Sequence, residues 1–191
     1  MKIAIACDHR GYEKKEALKN YLTEKGHKVI DYGTFSSEST DYPDYAHPMA
    51  EAVERGDCDY GITLCGSGNG INITANKHQG IRAAYCWNEE ITALARKHND
   101  ANVCSMPADF ISIDDAFKFI DIFLSTEFEG GRHERRVKKI PLWKVEYEVM
   151  NKKLDVLNKA LESAKLIEDE IAEKKIKAKI RNLLKQITTE Y

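Results

Sequence analysis

Up to about residue 126 the chain alternates short apolar runs with stretches of helical periodicity, and that alternation admits few architectures. KIAIAC (2–7), HKVIDYG (27–33), YGITLC (60–65), IRAAYC (81–86) and NVCSMP (102–107) read as strands. Between and after them, YEKKEALKNYLTEKG (12–26), YAHPMAEAVERG (45–56), a helix beginning inside GNGINITANK, NEEITALARKHN (88–99) and SIDDAFKFIDIFLS (112–125) read as helices. Short, uniformly apolar strands separated by helices predict a parallel sheet covered on both faces. The expected fold is therefore α/β, a doubly wound five-stranded parallel sheet.

Beyond residue 140 the pattern changes. All 11 glycines lie at or before Gly131, and no proline follows Pro141. Met150, Leu154, Leu157, Leu161 and Ala164 follow a heptad spacing. The spacing slips at Ile167 and Ile171, then resumes at Ile176, Ile180, Leu183 and Ile187. One reading is an amphipathic helix lying on the domain; the favoured one is a helical element facing a partner subunit. The expected division is a domain over 1–140 and a long C-terminal helical extension over 141–191, serving oligomerisation.

The charge balance removes other classes. Lys and Arg number 29 against 31 Asp and Glu, a net charge of −2, which gives no support for nucleic-acid binding. No apolar run approaches the roughly 20 residues that span a bilayer, and MKIAIACDHRG turns polar too soon for a secretory leader. A soluble, cytoplasmic protein is expected. The five cysteines are widely spaced, without a CxxC pair, so neither a disulfide framework nor a metal site is indicated.

Chemistry concentrates where the strands end. Open α/β sheets bind ligands at the carboxyl ends of their strands, and those ends carry CDHRG (7–11), GTFSSESTDYPDY (33–45), CGSGNG (65–70) and CWN (86–88). The GxGxG run behind Cys65 is not the GxGxxG of dinucleotide folds, and Cys86 stands where a ribose-binding acid would be wanted. The run is either a tight corner or a nest of backbone N–H groups able to hold an anion or oxyanion. In such a nest the Cys65 thiol is expected to titrate nearer neutrality, ready for nucleophilic attack or proton transfer. Arg132 and Arg136 in EGGRHERRVKK (129–139) share a face if helical, as a phosphate clamp or as solvated charge. His98 ends its helix at the sheet edge opposite Cys65. It is then either an ordinary surface histidine or one that completes a site in a second subunit.

CDHRG, GTFSSESTDYPDYA, CGSGNGINITANK, IRAAYC, RKHNDANV and EGGRHERRV, in this order, closely resemble the type B ribose-5-phosphate isomerases, whose family also holds galactose- and allose-phosphate isomerases. The resemblance covers about residues 1–140. It implies a Rossmann-like fold and the interconversion of ribose 5-phosphate and ribulose 5-phosphate, in the pentose phosphate pathway, without metal or other cofactor. It implies Cys65 as the base moving a proton between C1 and C2. Ser67 and the backbone of Gly66, Gly68, Asn69 and Gly70 would hold the enediolate oxygens. His98 would assist ring opening, with Asp8 shaping the other side. His9, Arg132 and Arg136 would bind phosphate, and Tyr42 and Asn99 would line the pocket. In the family the site is shared between subunits, which implies here a homodimer or homotetramer with His98 supplied by a neighbour. One departure stands out: Pro107-Ala108-Asp109 replaces the family's usual Gly-x-Arg, exchanging an arginine near the substrate for an acid. The alternatives are a hexose-phosphate isomerase, such as one for allose 6-phosphate, and a non-catalytic sugar-phosphate sensor. A nicotinamide-dependent oxidoreductase is disfavoured by the missing ribose-binding acid.

Overall fold

In the computed structural model residues 1–141 and 143–189 are described, and within them all side chains except those of 143–151, 183 and 185–189. Among the described residues five strands and eight helices follow in the order β1 (Lys2–Cys7), α1 (Tyr12–Glu24), β2 (Lys28–Asp31), α2 (Pro43–Glu54), β3 (Tyr60–Cys65), α3 (Asn69–Ala75), β4 (Ala83–Tyr85), α4 (Glu89–Asn99), β5 (Val103–Pro107), α5 (Ile113–Ser125), α6 (Arg132–Val137), α7 (Trp143–Leu166) and α8 (Glu170–Thr189). The strands form one parallel sheet in the order β2-β1-β3-β5-β4. This is the α/β architecture expected from the alternation, and it is Rossmann-like as the resemblance implies. β2 and β4 are shorter than their apolar runs suggest because they are the sheet edges.

Strand side chains alternate between faces, and the two faces differ in bulk. Ile3, Ile5, Cys7, Ile62, Leu64 and Met106 pack with Leu18 and Leu22 of α1 and Phe119, Ile120 and Phe123 of α5. Each fully buried leucine or isoleucine there contributes on the order of 1.5–3 kcal/mol. The other face is built from small residues: Ala4 and Ala6 meet Met49, Ala50 and Val53 of α2. Gly61 belongs to this face, since a Cβ on it would stand 2.6 Å from the Met49 sulfur. Helix ends follow local chemistry. Ser112 and Asp115 form a reciprocal capping box at α5, and Asn88 caps α4 by accepting from the Ile91 N–H.

The order of the strands positions the site. From β1 the chain goes first to β2 on one side and then to β3 on the other. The crevice between the ends of β1 and β3 is thus a topological switch point, where α/β sheets bind ligands.

Two compact units divide the chain, Met1–Ile140 and Pro141–Tyr191. The second is a helical hairpin. α7 and α8 pack on each other about a turn at Ile167–Asp169, with Glu168 at φ +54 and Asp169 accepting from the Ala172 N–H. The slip in the heptad at Ile167 and Ile171 is this turn. Ala164 is buried in the hairpin, and Leu154, Leu157, Leu161, Ile176 and Ile180 are half-buried. Met150, Leu183 and Ile187 of the same seam lie outside the described side chains. Among the described residues no helix is long and apolar enough to cross a membrane.

Candidate active site

Parallel register sets the site's floor. Cys7 pairs with Leu64, and Cys65 with Pro107, so the loops after β1, β3 and β5 leave the sheet side by side. Cys65 is the last residue of β3 and only 4% exposed, packed with Ala46, Ile71 and Tyr42. Its carbonyl accepts from the N–H groups of Gly68 (3.0 Å) and Ala108 (2.9 Å). Gly68 adopts φ +74, and a Cβ there would stand 2.9 Å from the Pro107 nitrogen. A Cβ on Gly70 would stand 2.5 Å from Cζ of Tyr42, so that glycine lets the phenol lie on the loop beside the thiol. Ser67 and Asn69 are exposed on the same loop, whose Ser67 carbonyl accepts from the Tyr85 hydroxyl at 2.7 Å.

The thiol's electrostatics correct the expectation of a lowered pKa. Burial pushes the Cys65 thiol above its ordinary value and the Asp8 carboxylate adds to this, against the backbone N–H groups of Ile71, Gly68 and Gly70. The nest is therefore present, but within the single chain desolvation outweighs it.

Asp8 follows β1 and is buried. Its Oδ1 accepts from the N–H groups of Arg10 (2.9 Å) and Gly11 (3.1 Å), which turns the chain and holds the carboxylate by Cys65. The Thr40 N–H donates to Nδ1 of His9 at 3.3 Å. A neutral His9 then carries its proton on Nε2, as a donor suited to an anion.

The remaining predicted residues form a second group. Asn99 ends α4, and its carbonyl accepts from Nε of Arg82 at 3.2 Å. Arg82 immediately precedes β4, so His98 and Asn99 lie at the amino edge of the sheet. Cys65 lies at the carboxyl edge, about 16 Å away by the rise of a five-residue strand. The His98 ring stacks on His133 with centroids 4.2 Å apart and planes at 1°. Glu129 Oε2 lies 3.7 Å from His98 Nε2 and 4.0 Å from His133 Nε2, and Arg132 Nε donates to His133 Nε2 at 3.3 Å. Burial, with His98 and Arg132 adding, lowers the His133 pKa. Arg132 and Arg136 are both exposed on α6. One chain thus gathers Cys65, Asp8, His9, Tyr42 and the glycine loop at one edge, and His98, Asn99, Arg132 and Arg136 away from them.

Glu129 and His133 were not singled out from the sequence, although they flank Arg132 in the motif EGGRH. With His98 their ligand atoms fall within 4.8 Å of one another. Imidazoles stacked in parallel planes keep their lone pairs within those separate planes, however, and do not converge on an ion about 2 Å from each nitrogen. Arg10 was also passed over. It donates from Nε (3.1 Å) and Nη2 (2.9 Å) to Oδ2 of Asp109.

A thiol with a neighbouring carboxylate and convergent N–H groups at a switch point defines a class: α/β proteins equipped to move a proton on a small anionic substrate. Residues 3–140 match the family model described as Ribose/Galactose Isomerase. The chain is 46% identical over 139 residues to ribose-5-phosphate isomerase B of Escherichia coli (strain K12), covering 73% of this chain and 93% of the relative. Among solved structures, ribose-5-phosphate isomerase B of Clostridium thermocellum has a TM-score of 0.74 at 46% identity, covering 77% of this chain and 99% of that one. The Mycoplasma genitalium enzyme with bound ribulose-5-phosphate has a TM-score of 0.73 at 39% identity, covering 76% and 97%. The chain belongs to the ribose/galactose isomerase family.

Proposed function

We propose that the protein interconverts D-ribose 5-phosphate and D-ribulose 5-phosphate through a cis-enediolate, in the non-oxidative branch of the pentose phosphate pathway, as a cytoplasmic enzyme. The observation that carries this reading is the buried Cys65 thiol beside Asp8 and the N–H groups of Gly68, Gly70 and Ile71. The relative with bound ribulose-5-phosphate supports the choice of substrate.

In this reading His98 of a second copy, with Asp8 opposite it, opens the furanose ring. The Cys65 thiolate then takes the proton from C2 of the open aldose. The C2–H electron pair becomes the C1–C2 double bond, and charge moves onto O1. The backbone of Gly66, Gly68, Asn69 and Gly70 and the Ser67 hydroxyl stabilise the enediolate oxygens. A proton passes from the O2 hydroxyl to O1, and Cys65 returns its own proton to C1 as C2=O2 becomes the ketone. His9 from one chain, with Arg132 and Arg136 from the other, binds the phosphate, and Tyr42 and Asn99 line the pocket. Anchoring the remote phosphate holds C1 and C2 at the sulfur. A thiol of raised pKa suits this chemistry in one respect: its thiolate is the stronger base, although a smaller fraction is ionised at neutral pH.

A site shared between two copies in a homodimer or homotetramer is supported by the separation of the two groups of residues within one chain. The exposed apolar side chains Ile73, Trp87 and Ile91, on the elements around edge strand β4, add to it. The unit 1–140 spans nearly the whole length of the relatives, so the hairpin of 141–191 is additional, and we assign it to assembly. Val156, Leu166, Ile167 and Ile171 are left exposed on it.

The test is incubation of the full chain with ribose 5-phosphate, following ribulose 5-phosphate. Turnover is expected, with Cys65→Ala slower by at least about 100-fold, the range for loss of a positioned acid–base group. No turnover by the wild type, or a Cys65→Ala variant as fast as the wild type, refutes the proposal. Parallel assays with allose 6-phosphate and galactose 6-phosphate identify a hexose-phosphate enzyme if one of them is preferred.

A further inference from the structure

We infer that Arg10 is a further substrate-binding residue, its guanidinium held over Gly66 by Asp109 so that it meets the phosphate of the sugar. The inference rests on the isomerase reading of this site.

Three loops meet at this point. Arg10 comes from the loop after β1, next to His9. Gly66 follows Cys65. Asp109 comes from the loop after β5, with its N–H donating to the Gly66 carbonyl at 3.0 Å. A Cβ on Gly66 would lie 2.8 Å from Asp109 Oδ2 and 3.5 Å from Arg10 Cγ. The ion pair therefore lies directly on the glycine that adjoins the thiol. Glycine at 66 is what lets it lie so close.

The pair is asymmetric. Both bonds from Arg10, through Nε and Nη2, end on the single oxygen Oδ2. That fixes the guanidinium plane and leaves Nη1 available, on a side chain that is 58% exposed. A planar guanidinium with spare N–H groups is well matched to phosphate oxygens. The only fully charged part of a pentose phosphate is its phosphate, and the adjacent residue His9, with Nδ1 taken by the Thr40 N–H, carries its donor on Nε2. Asp109 alone would repel that dianion. Paired, it becomes a positioning residue, and a guanidinium is supplied where the Pro107-Ala108-Asp109 sequence by itself offers only an acid.

The experiment uses the full-length protein with two variants, Arg10→Ala and Arg10→Ala/Asp109→Ala. The readouts are KM and kcat for ribose 5-phosphate and, separately, the affinity for inorganic phosphate by calorimetry. Arg10→Ala is expected to raise KM and weaken phosphate binding together by about tenfold or more, the usual effect of losing a charged hydrogen bond, with kcat little changed. The double variant is expected to remain about as weak, because removing the acid does not replace the guanidinium. Wild-type KM and phosphate affinity in Arg10→Ala overturn the inference. So does full recovery in the double variant, which would mean that Arg10 only masks Asp109. The calorimetric arm reads Arg10 even if the wild type converts no sugar, so failure of the isomerase reading is seen separately.

Discussion

At Cys65, burial and the Asp8 carboxylate oppose three backbone N–H groups, and the thiol ends above its ordinary pKa. Asp8→Asn keeps an Oδ1 acceptor for the Arg10 and Gly11 N–H groups and removes the charge. Its thiol should titrate lower than the wild type's, so that alkylation of Cys65 by iodoacetamide near pH 8 speeds up; an unchanged profile would show that Asp8 does not act on the sulfur. Asp31 is the opposite case. Burial works to raise its carboxyl pKa, but hydrogen bonds from Lys15, Lys19 and the Gly33 N–H hold it below the ordinary value. A carboxyl with a depressed folded-state pKa adds stability that is fully present above the unfolded value of about 4 and is lost as pH falls through the folded value. Urea midpoints measured from pH 5 down to pH 3 should therefore fall more steeply for the wild type than for Asp31→Asn.

Among the local elements, the turn from β3 into α3 constrains the sequence most tightly. Gly68 needs its glycine twice over, for φ +74 and for backbone atoms that would lie 2.9–3.0 Å from a Cβ. Gly26, at φ +83, has nothing within 4 Å of the same position. Gly26→Ala should cost about 1 kcal/mol, the strain of a left-handed residue, and Gly68→Ala clearly more, with loss of activity; equal urea midpoints would contradict this. The glycine run could be read in the sequence because close approach and positive φ leave few alternatives to glycine. So could the strands, whose burial imposes uniform apolar runs. The tail's heptad phase even marked its turn, although a slip alone does not distinguish a hairpin from a break in one helix. The Arg10–Asp109 pair was not legible, since its members stand 99 residues apart and only the strand order β2-β1-β3-β5-β4 brings them together. Nor was the thiol's raised pKa, which depends on how completely Ala46, Ile71 and Tyr42 enclose the sulfur.

For the whole molecule, the separation of Cys65 from His98 is the decisive geometry. If each site draws on two chains, Cys65→Ala and His98→Ala proteins should both be inactive alone yet active when dissociated and reassembled together. Random pairing makes half the dimers hybrid, each with one intact site, so roughly a quarter of wild-type activity should return. No recovery, with hybrids demonstrated by mass, would mean that each chain works alone. The stacked His98–His133 pair makes a related point. His133 is buried under His98 and bonded to Arg132, so His133→Ala is expected to lower kcat and raise KM together, and a change in neither would remove it from the site.

Two lesions are not equivalent to one placed twice. If each cleft is built by two chains, a polypeptide lacking both the sulfur and the imidazole would poison every assembly it enters, since it would spoil its own cleft and its mate's. A polypeptide lacking only one of them would then leave half of each mixed pair working. Cells carrying both kinds of allele would accordingly differ in dominance, a genetic trait traceable to one helix that ends on the far rim of its sheet.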